Sequence, residues 1–182
     1  MPDREFQGYV NVSQDTGQIM FTLRANLAST KIRAAIKLAT GVVVPKRGTC
    51  KKAAGCTLAW MSSDELLIMA SIAHSEKLCS SLNVALSEQH FLLEDVSDAR
   101  AKFILRGTEA REVLAKLAPM DTHPAKFLVG SFNRTRFAQV AGAVFLEQDD
   151  LISVICFRSV QDYVYALFCE AAACGSEVLV RE

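Results

Sequence analysis

Two windows of the chain, WMSSDELLIMA at 60–70 and FLEQDDLISVI at 145–155, answer each other: apolar residues, a polar turn, then an apolar run long enough for one strand. Around them the order strand, helix, strand, strand, helix reads twice along the sequence. KIRAAIKLATGVVVP (31–45) holds the place in the first copy that EAREVLAKLAP (109–119) holds in the second. A unit of that order buries an antiparallel sheet under its helices. The expectation is therefore an α+β fold of two pseudo-repeated halves, about 18–88 and 89–182, within one domain at 18–182 that follows a polar tail at 1–17.

Periodicity fills in the elements. QIMFTLR (18–24) alternates as a strand. Ser29 or Thr30 is placed to cap a helix in which Ile32, Ala35, Ile36 and Ala39 recur at i, i+3, i+4 and i+7 before Gly41. Strands at 56–61 and 65–70 flank the turn-forming SSD, and a helix capped near Ser75 carries Leu78, Leu82, Ala85 and Leu86 on one face. FLLEDV (91–96) and RAKFILR (100–106) read as a strand pair. Thr108 is expected to cap a third helix that ends at Pro119. A long strand at about 135–147, the turn QDD and a strand at 151–157 follow, and Ser159 with Asp162 has capping-box spacing before the last amphipathic stripe. A short final strand is expected at 177–181.

Charge and motifs exclude several classes. Twenty basic and twenty acidic side chains give zero formal net charge, which removes the electrostatic basis of a nucleic-acid binder. No apolar run approaches membrane-spanning length, and Asp3, Arg4 and Glu5 stand where a secretory signal would need basic residues followed by an apolar stretch. The six cysteines lie mostly in apolar segments without zinc-ligand spacing, so the expected compartment is the reducing cytoplasm. No phosphate-binding glycine loop can be written anywhere, and His74, His90 and His123 have no nucleophile in a recognisable motif beside them. Two stretches concentrate positive charge: the loop with Lys46, Arg47, Lys51 and Lys52, and FNRTR (132–136). Each is either a solvated loop or a docking surface for an acidic partner or anionic ligand.

DVSDARAKFILRG (95–107) places Asp95, Ser97, Asp98 and Arg100 within six positions. Ser and Asp side chains bond neighbouring amides in tight turns, and Arg100 can pair with either aspartate. Nothing gives one carboxylate an environment separate from the other, as acid–base catalysis requires. A turn and ion-pair role is favoured over an active site.

Five stretches in order, WMSSDELLIMA (60–70), DVSDARAKFILRG (95–107), REVLAKLAPMD (111–121), GSFNRTR (130–136) and FRSVQDYVYALFCEAA (157–172), resemble the gamma subunit of heterotetrameric sarcosine oxidase. The resemblance covers roughly 18–173. It departs at Ser62-Ser63 and Leu66, where the family tends to have a Gly-Pro turn and a second tryptophan. It implies a fold related to the folate-binding domain of the glycine-cleavage T-protein. It implies, too, an accessory, non-catalytic subunit of a complex that oxidatively demethylates sarcosine to glycine. The resemblance further implies that the one-carbon unit passes to tetrahydrofolate or leaves as formaldehyde, and that hydrogen peroxide is formed. The implied partners are alpha, beta and delta subunits carrying FAD, FMN, NAD, tetrahydrofolate and zinc, with no cofactor, metal or catalytic residue on this chain, and neither nucleic acid nor membrane as a partner. The residues expected to act in turns, caps and interface pairs are Trp60, Asp95, Ser97, Asp98, Arg100, Asp121, Thr135, Arg158 and Ser159. The rival reading is a free-standing folate-binding protein of the T-protein type.

Overall fold

The computed structural model describes residues 4–178. The chain divides into two compact units: Gly17–Asp98, and the segments up to Thr16 and from Ala99 onward. The expected N-terminal tail is a correction. β1 (Glu5–Gln7) and β2 (Asn11–Asp15) pair antiparallel, and Val10 and Val12 are fully buried. Two core valines outweigh the polar residues around them, since each buried aliphatic side chain stabilises by about 1.5–3 kcal/mol.

The unit Gly17–Asp98 consists of β3 (Gln18–Ala25), α1 (Thr30–Thr40), β4 (Cys50–Ala53), β5 (Cys56–Trp60), β6 (Glu65–Ser71), α2 (Ser75–Leu86) and β7 (Phe91–Asp95). Its sheet runs β4–β5–β6–β3–β7, antiparallel throughout. α1 begins where the Ser29 Oγ accepts the Ile32 N–H and ends at Gly41, whose φ of +72° lets its N–H reach the Lys37 carbonyl. Ile32 and Ile36 of α1 and Leu78, Leu82 and Leu86 of α2 enter one core with Leu23, Leu58 and Ile68 of the sheet. α2 starts after a 3-10 turn at Ile72–His74 without the side-chain cap expected of Ser75. The basic loop is shorter than expected, because Cys50–Ala53 pairs with β5 around a turn with left-handed Ala54 and Gly55.

The other unit adds β8 (Arg100–Arg106), α3 (Ala110–Leu117), β9 (Phe132–Phe137), β10 (Val140–Gln148), β11 (Leu151–Phe157) and α4 (Gln161–Ala172) to β1 and β2. Its antiparallel sheet runs β1–β2–β8–β11–β10–β9. Phe103, Phe127, Phe137 and Phe168 fill the core between sheet and helices; the rings of Phe137 and Phe168 meet edge to face at 5.2 Å. Four sequence expectations are corrected here. β7 and β8 are not a pair: β7 joins β3, and β8 lies between β2 and β11. The long strand at 135–147 is a hairpin, β9 and β10, turning at Ala138 with φ of +50°. Thr108 does not cap α3; the Ala110 N–H bonds the Gly107 carbonyl and Glu109 is the first flanking residue. Ser159 lies in a 3-10 turn, Arg158–Val160, and makes no capping bond with α4. The strand expected at 177–181 falls largely outside the described residues.

The duplication is visible in strand order. The strand preceding the first helix of each copy (β3, β8) lies beside the strand preceding the second helix (β6, β11), which continues to β5 and β4 or to β10 and β9. The remaining neighbour differs in origin: β7 follows its repeat, whereas β2 precedes both. Hence the boundary falls between Asp98 and Ala99 rather than near residue 88, and residues 89–98 belong with the first unit.

Candidate functional site

The segment Asp95–Arg100 straddles that boundary. On its first side the Asp95 Oδ1 accepts the Ser97 N–H at 2.8 Å, a local Asx turn, and the Ser97 Oγ accepts the Met20 N–H at 2.9 Å. The Val96 N–H bonds the Met20 carbonyl, so the chain is tied to β3 immediately after β7 ends. On the other side Arg158 donates twice to the backbone: its N–H to the Ala99 carbonyl at 2.9 Å and its guanidinium to the Arg100 carbonyl at 3.0 Å. The Arg100 guanidinium lies over the Phe157 ring at 5.5 Å. Asp98 is exposed between the two anchors. These groups fasten backbone, and the geometry brings Arg100 and Arg158 together, as well as Asp95 and Ser97.

The other expected residues are dispersed. Trp60 closes β5 with the Arg47 guanidinium 5.9 Å above its ring. The Asp121 Oδ1 accepts the His123 N–H at 2.9 Å and shapes the loop after α3. Thr135 lies in β9 opposite Gly142, where an added Cβ would meet the Phe137 ring at 2.2 Å. Ser159 is exposed in its 3-10 turn.

Two charged clusters were not read from the sequence. The first is built on Lys102, which is 3% exposed in the middle of β8. Its Nζ bonds the Asp15 Oδ2 at 3.1 Å and the Glu147 Oε1 at 3.4 Å, and it lies 5.5 Å from the centre of the Phe145 ring. Glu147 also accepts the hydroxyl of fully buried Ser153 at 2.6 Å. In the other unit the corresponding positions of β3 and β6 are Met20 and Leu67, judged by equivalent strand register. One signal was available: a lysine inside the otherwise apolar run AKFIL. The second cluster centres on Lys116, whose Nζ donates to the Tyr9 Oη at 2.8 Å, the Ala171 carbonyl at 2.9 Å and the Ser176 carbonyl. The Glu112 Oε1 is 3.6 Å from it and accepts the Val178 N–H at 2.8 Å. Burial raises the Tyr9 phenol above its ordinary value, with the Lys116 charge opposing.

Beside this second cluster lies an open groove of about 990 Å³ between α3 and the loop that follows it, with Arg111, Met120 and His123 in its walls. The Arg111 guanidinium donates to the Thr122 and Phe127 carbonyls, at 3.1 and 2.7 Å. It therefore orders the loop. The Ser71 hydroxyl and the His74 Nδ1 are 2.7 Å apart, closing the 3-10 turn at Ile72–His74. Among the described residues no group of three or more His, Cys, Asp or Glu is placed to hold a metal, and no helix is long and apolar enough to cross a membrane. The cysteines are free thiols, and burial pushes Cys56 and Cys156 up to about 11, far from the thiolate state needed for nucleophilic or metal chemistry at neutral pH.

The sequence model of the sarcosine oxidase, gamma subunit family matches residues 24–174. The sarcosine oxidase subunit gamma of Corynebacterium sp. (strain U-96) is 32% identical over 120 residues, which is 65% of this chain and 57% of that protein. The aligned sequence thus spans little more than half of the relative. A chain of the heterotetrameric sarcosine oxidase from Corynebacterium sp. U-96, solved in complex with pyrrole 2-carboxylate, superposes with a TM-score of 0.86 at 26% identity, covering 97% of this chain and 91% of that one. The glycine cleavage system aminomethyltransferase T from Bartonella henselae superposes at 0.69 with 10% identity, over 93% of this chain and 48% of that one; this is a likeness of fold. The two-unit α+β architecture and the family match agree, and the chain belongs to the sarcosine oxidase gamma subunit family.

Proposed function

We propose that this chain is the accessory gamma subunit of a heterotetrameric, flavin-dependent sarcosine oxidase of the cytoplasm. It stabilises the larger chains and takes no direct part in the demethylation of sarcosine to glycine. The carrying observation is the superposition over 97% of the chain with a chain of the Corynebacterium enzyme. The local chemistry supports it: the charged groups described above fasten strands, turns and helix ends, and the two most buried thiols are held protonated. In this reading the alpha, beta and delta partners carry FAD, FMN, NAD, tetrahydrofolate and zinc.

The test is co-expression of the tagged full chain with candidate alpha, beta and delta subunits. The tagged chain should retrieve a yellow complex that forms hydrogen peroxide from sarcosine, whereas the chain alone should be colourless and inactive. Flavin absorbance on the isolated chain, or failure to retrieve the other subunits, contradicts the proposal.

A further inference from the structure

The zero net charge of the chain hides a sharp segregation. From Thr16 to Ser63 there are eight basic residues and no acidic one, while the remainder carries twelve basic against twenty acidic residues. Part of that positive segment is α1, where Lys31, Arg33 and Lys37 are all exposed. Arg24 is offset by Glu65 and Asp64, at 2.9 and 3.8 Å. The three basic residues of α1 face solvent.

The same helix layer exposes apolar side chains. Leu38 of α1 is 84% exposed and Val84 of α2 is 75% exposed, the two highest values among the large hydrophobic residues described. They are not scattered. Both line one shallow groove of about 390 Å³, floored by Ala39, Ser81 and Ala85. Helical spacing places each of them on the outward face of its helix, opposite the buried Ile32 and Ile36 or Leu78 and Leu82. Each also has a lysine seven residues earlier on that face: Lys31 before Leu38, Lys77 before Val84.

The duplication supplies a comparison. The equivalent helices of the other unit, α3 and α4, expose no large aliphatic residue among the described ones; Tyr163 is their one large hydrophobic side chain counted as exposed. Fold alone therefore does not require Leu38 and Val84 to face water. The groove is lined by small and aliphatic residues, two of them serines, and the exposed sides of α1 and α2 carry Lys31, Lys37 and Lys77 against the acidic Glu76. Apolar contact that excludes water, with nearby charge that selects an oppositely charged partner, is the anatomy of an interface.

We propose that the outward face of α1 and α2 docks an acidic surface of another protein chain, one that seats an apolar side chain between Leu38 and Val84. Apolar anchors and the lack of an aromatic side chain in this groove favour a protein over a single-stranded nucleic acid. This rests on the proposed function above, which supplies partner chains, and it deepens that reading by naming the surface and the chemistry it selects.

The experiment uses the tagged full chain co-expressed with alpha, beta and delta subunits, washed at rising salt. Two variants are compared with wild type: L38A/V84A, and the charge reversal K31E/K37E/K77E. All substituted positions are exposed, and unchanged thermal unfolding of the isolated variants checks the fold. Each variant should bind its partners at least about tenfold more weakly than wild type, and the charge reversal should also flatten the salt dependence. Wild type that assembles while both variants assemble equally well, with the same salt dependence, overturns this surface and leaves the proposed function standing. Wild type that does not assemble removes the proposed function and this inference with it. Self-association of the isolated chain that L38A/V84A abolishes would make a second copy the occupant and overturn the acidic-partner assignment.

Discussion

The Arg158 guanidinium donates to the Arg100 carbonyl at 3.0 Å, while the Arg158 N–H holds the carbonyl of Ala99. One residue, the first after β11, thus clamps the first residues after the boundary between the units. Arg158→Ala removes the side-chain bond, and because Arg158 is exposed the expected loss is about 1 kcal/mol. Arg100→Ala keeps that bond, whose acceptor is the backbone carbonyl, but removes the cation–π contact with Phe157 and should cost a similar amount. Urea unfolding of the isolated chain measures both. If the proposed oxidase complex instead keeps full stability and loses turnover in either variant, these residues belong to chemistry and not to the clamp.

Lys102 is a second, more costly position. Removing one partner of a buried ion cluster leaves the others uncompensated, at about 3–5 kcal/mol in fully buried cases. The Asp15 and Glu147 side chains retain 16% and 18% of their exposure, so Lys102→Met should cost about 3 kcal/mol. The triple variant D15N/K102M/E147Q, which replaces the charges together, should recover part of that loss. A triple variant less stable than K102M alone would show that hydrogen bonding, not charge compensation, governs the cluster.

What could be read in the sequence followed the range of the interactions involved. α1 was legible because cap, apolar stripe and terminating glycine all lie within thirteen residues, Ser29 to Gly41. The pairing of β7 and β8 was misread because Asp95–Asp98 has the residues of a hairpin turn, while the bonds that decide the matter go to Met20 and Arg158, distant in sequence. The β9–β10 turn gave no signal, since a left-handed φ falls on Ala138, where the equivalent turn in the first unit has Ala54 followed by Gly55. β2 was missed for the same kind of reason: Val12 in polar surroundings becomes part of a strand only when β8 is there to receive it. Of the candidate residues, the turn role of Asp95 and Ser97 was local and legible. The clusters at Lys102 and Lys116 join segments far apart in the chain.

The N-terminal strands should be indispensable to their unit. Lys116 connects Tyr9, the C-terminal turn of α4 and Ser176, and the Tyr9 N–H bonds the Ala172 carbonyl at 3.0 Å. Deleting the residues before Thr16 would remove β1 and β2, expose the edge of β8 and uncover the core that Val10 and Val12 enter. The truncated chain should aggregate on expression. Lys116→Met, which keeps the length of the side chain and loses its donors, should stay folded with a loss of about 2 kcal/mol. Soluble truncated protein with an unchanged urea midpoint would reduce these strands to decoration.

The buried thiols set an alkaline limit to stability. Cys56 and Cys156 are 4% and 2% exposed, and burial moves each from an ordinary 9.0 to about 11, with the Arg158 charge opposing at Cys156. Between those values the folded chain keeps protons that the unfolded chain has released, so unfolding is favoured as pH rises. Their contribution is therefore fully present below pH 9 and is lost as pH climbs toward 11. Tyr9 and Tyr165, raised by burial above the ordinary 10.0, act in the same direction once the pH passes 10. The urea midpoint should fall steadily across this window, and C56A/C156A, though less stable throughout, should fall less steeply. In the folded protein at pH 8, iodoacetamide should modify exposed Cys174 first and spare Cys56 and Cys156 until denaturant is added. Rapid alkylation of either buried thiol under native conditions would show that its helix or sheet neighbours open far more readily than their burial implies.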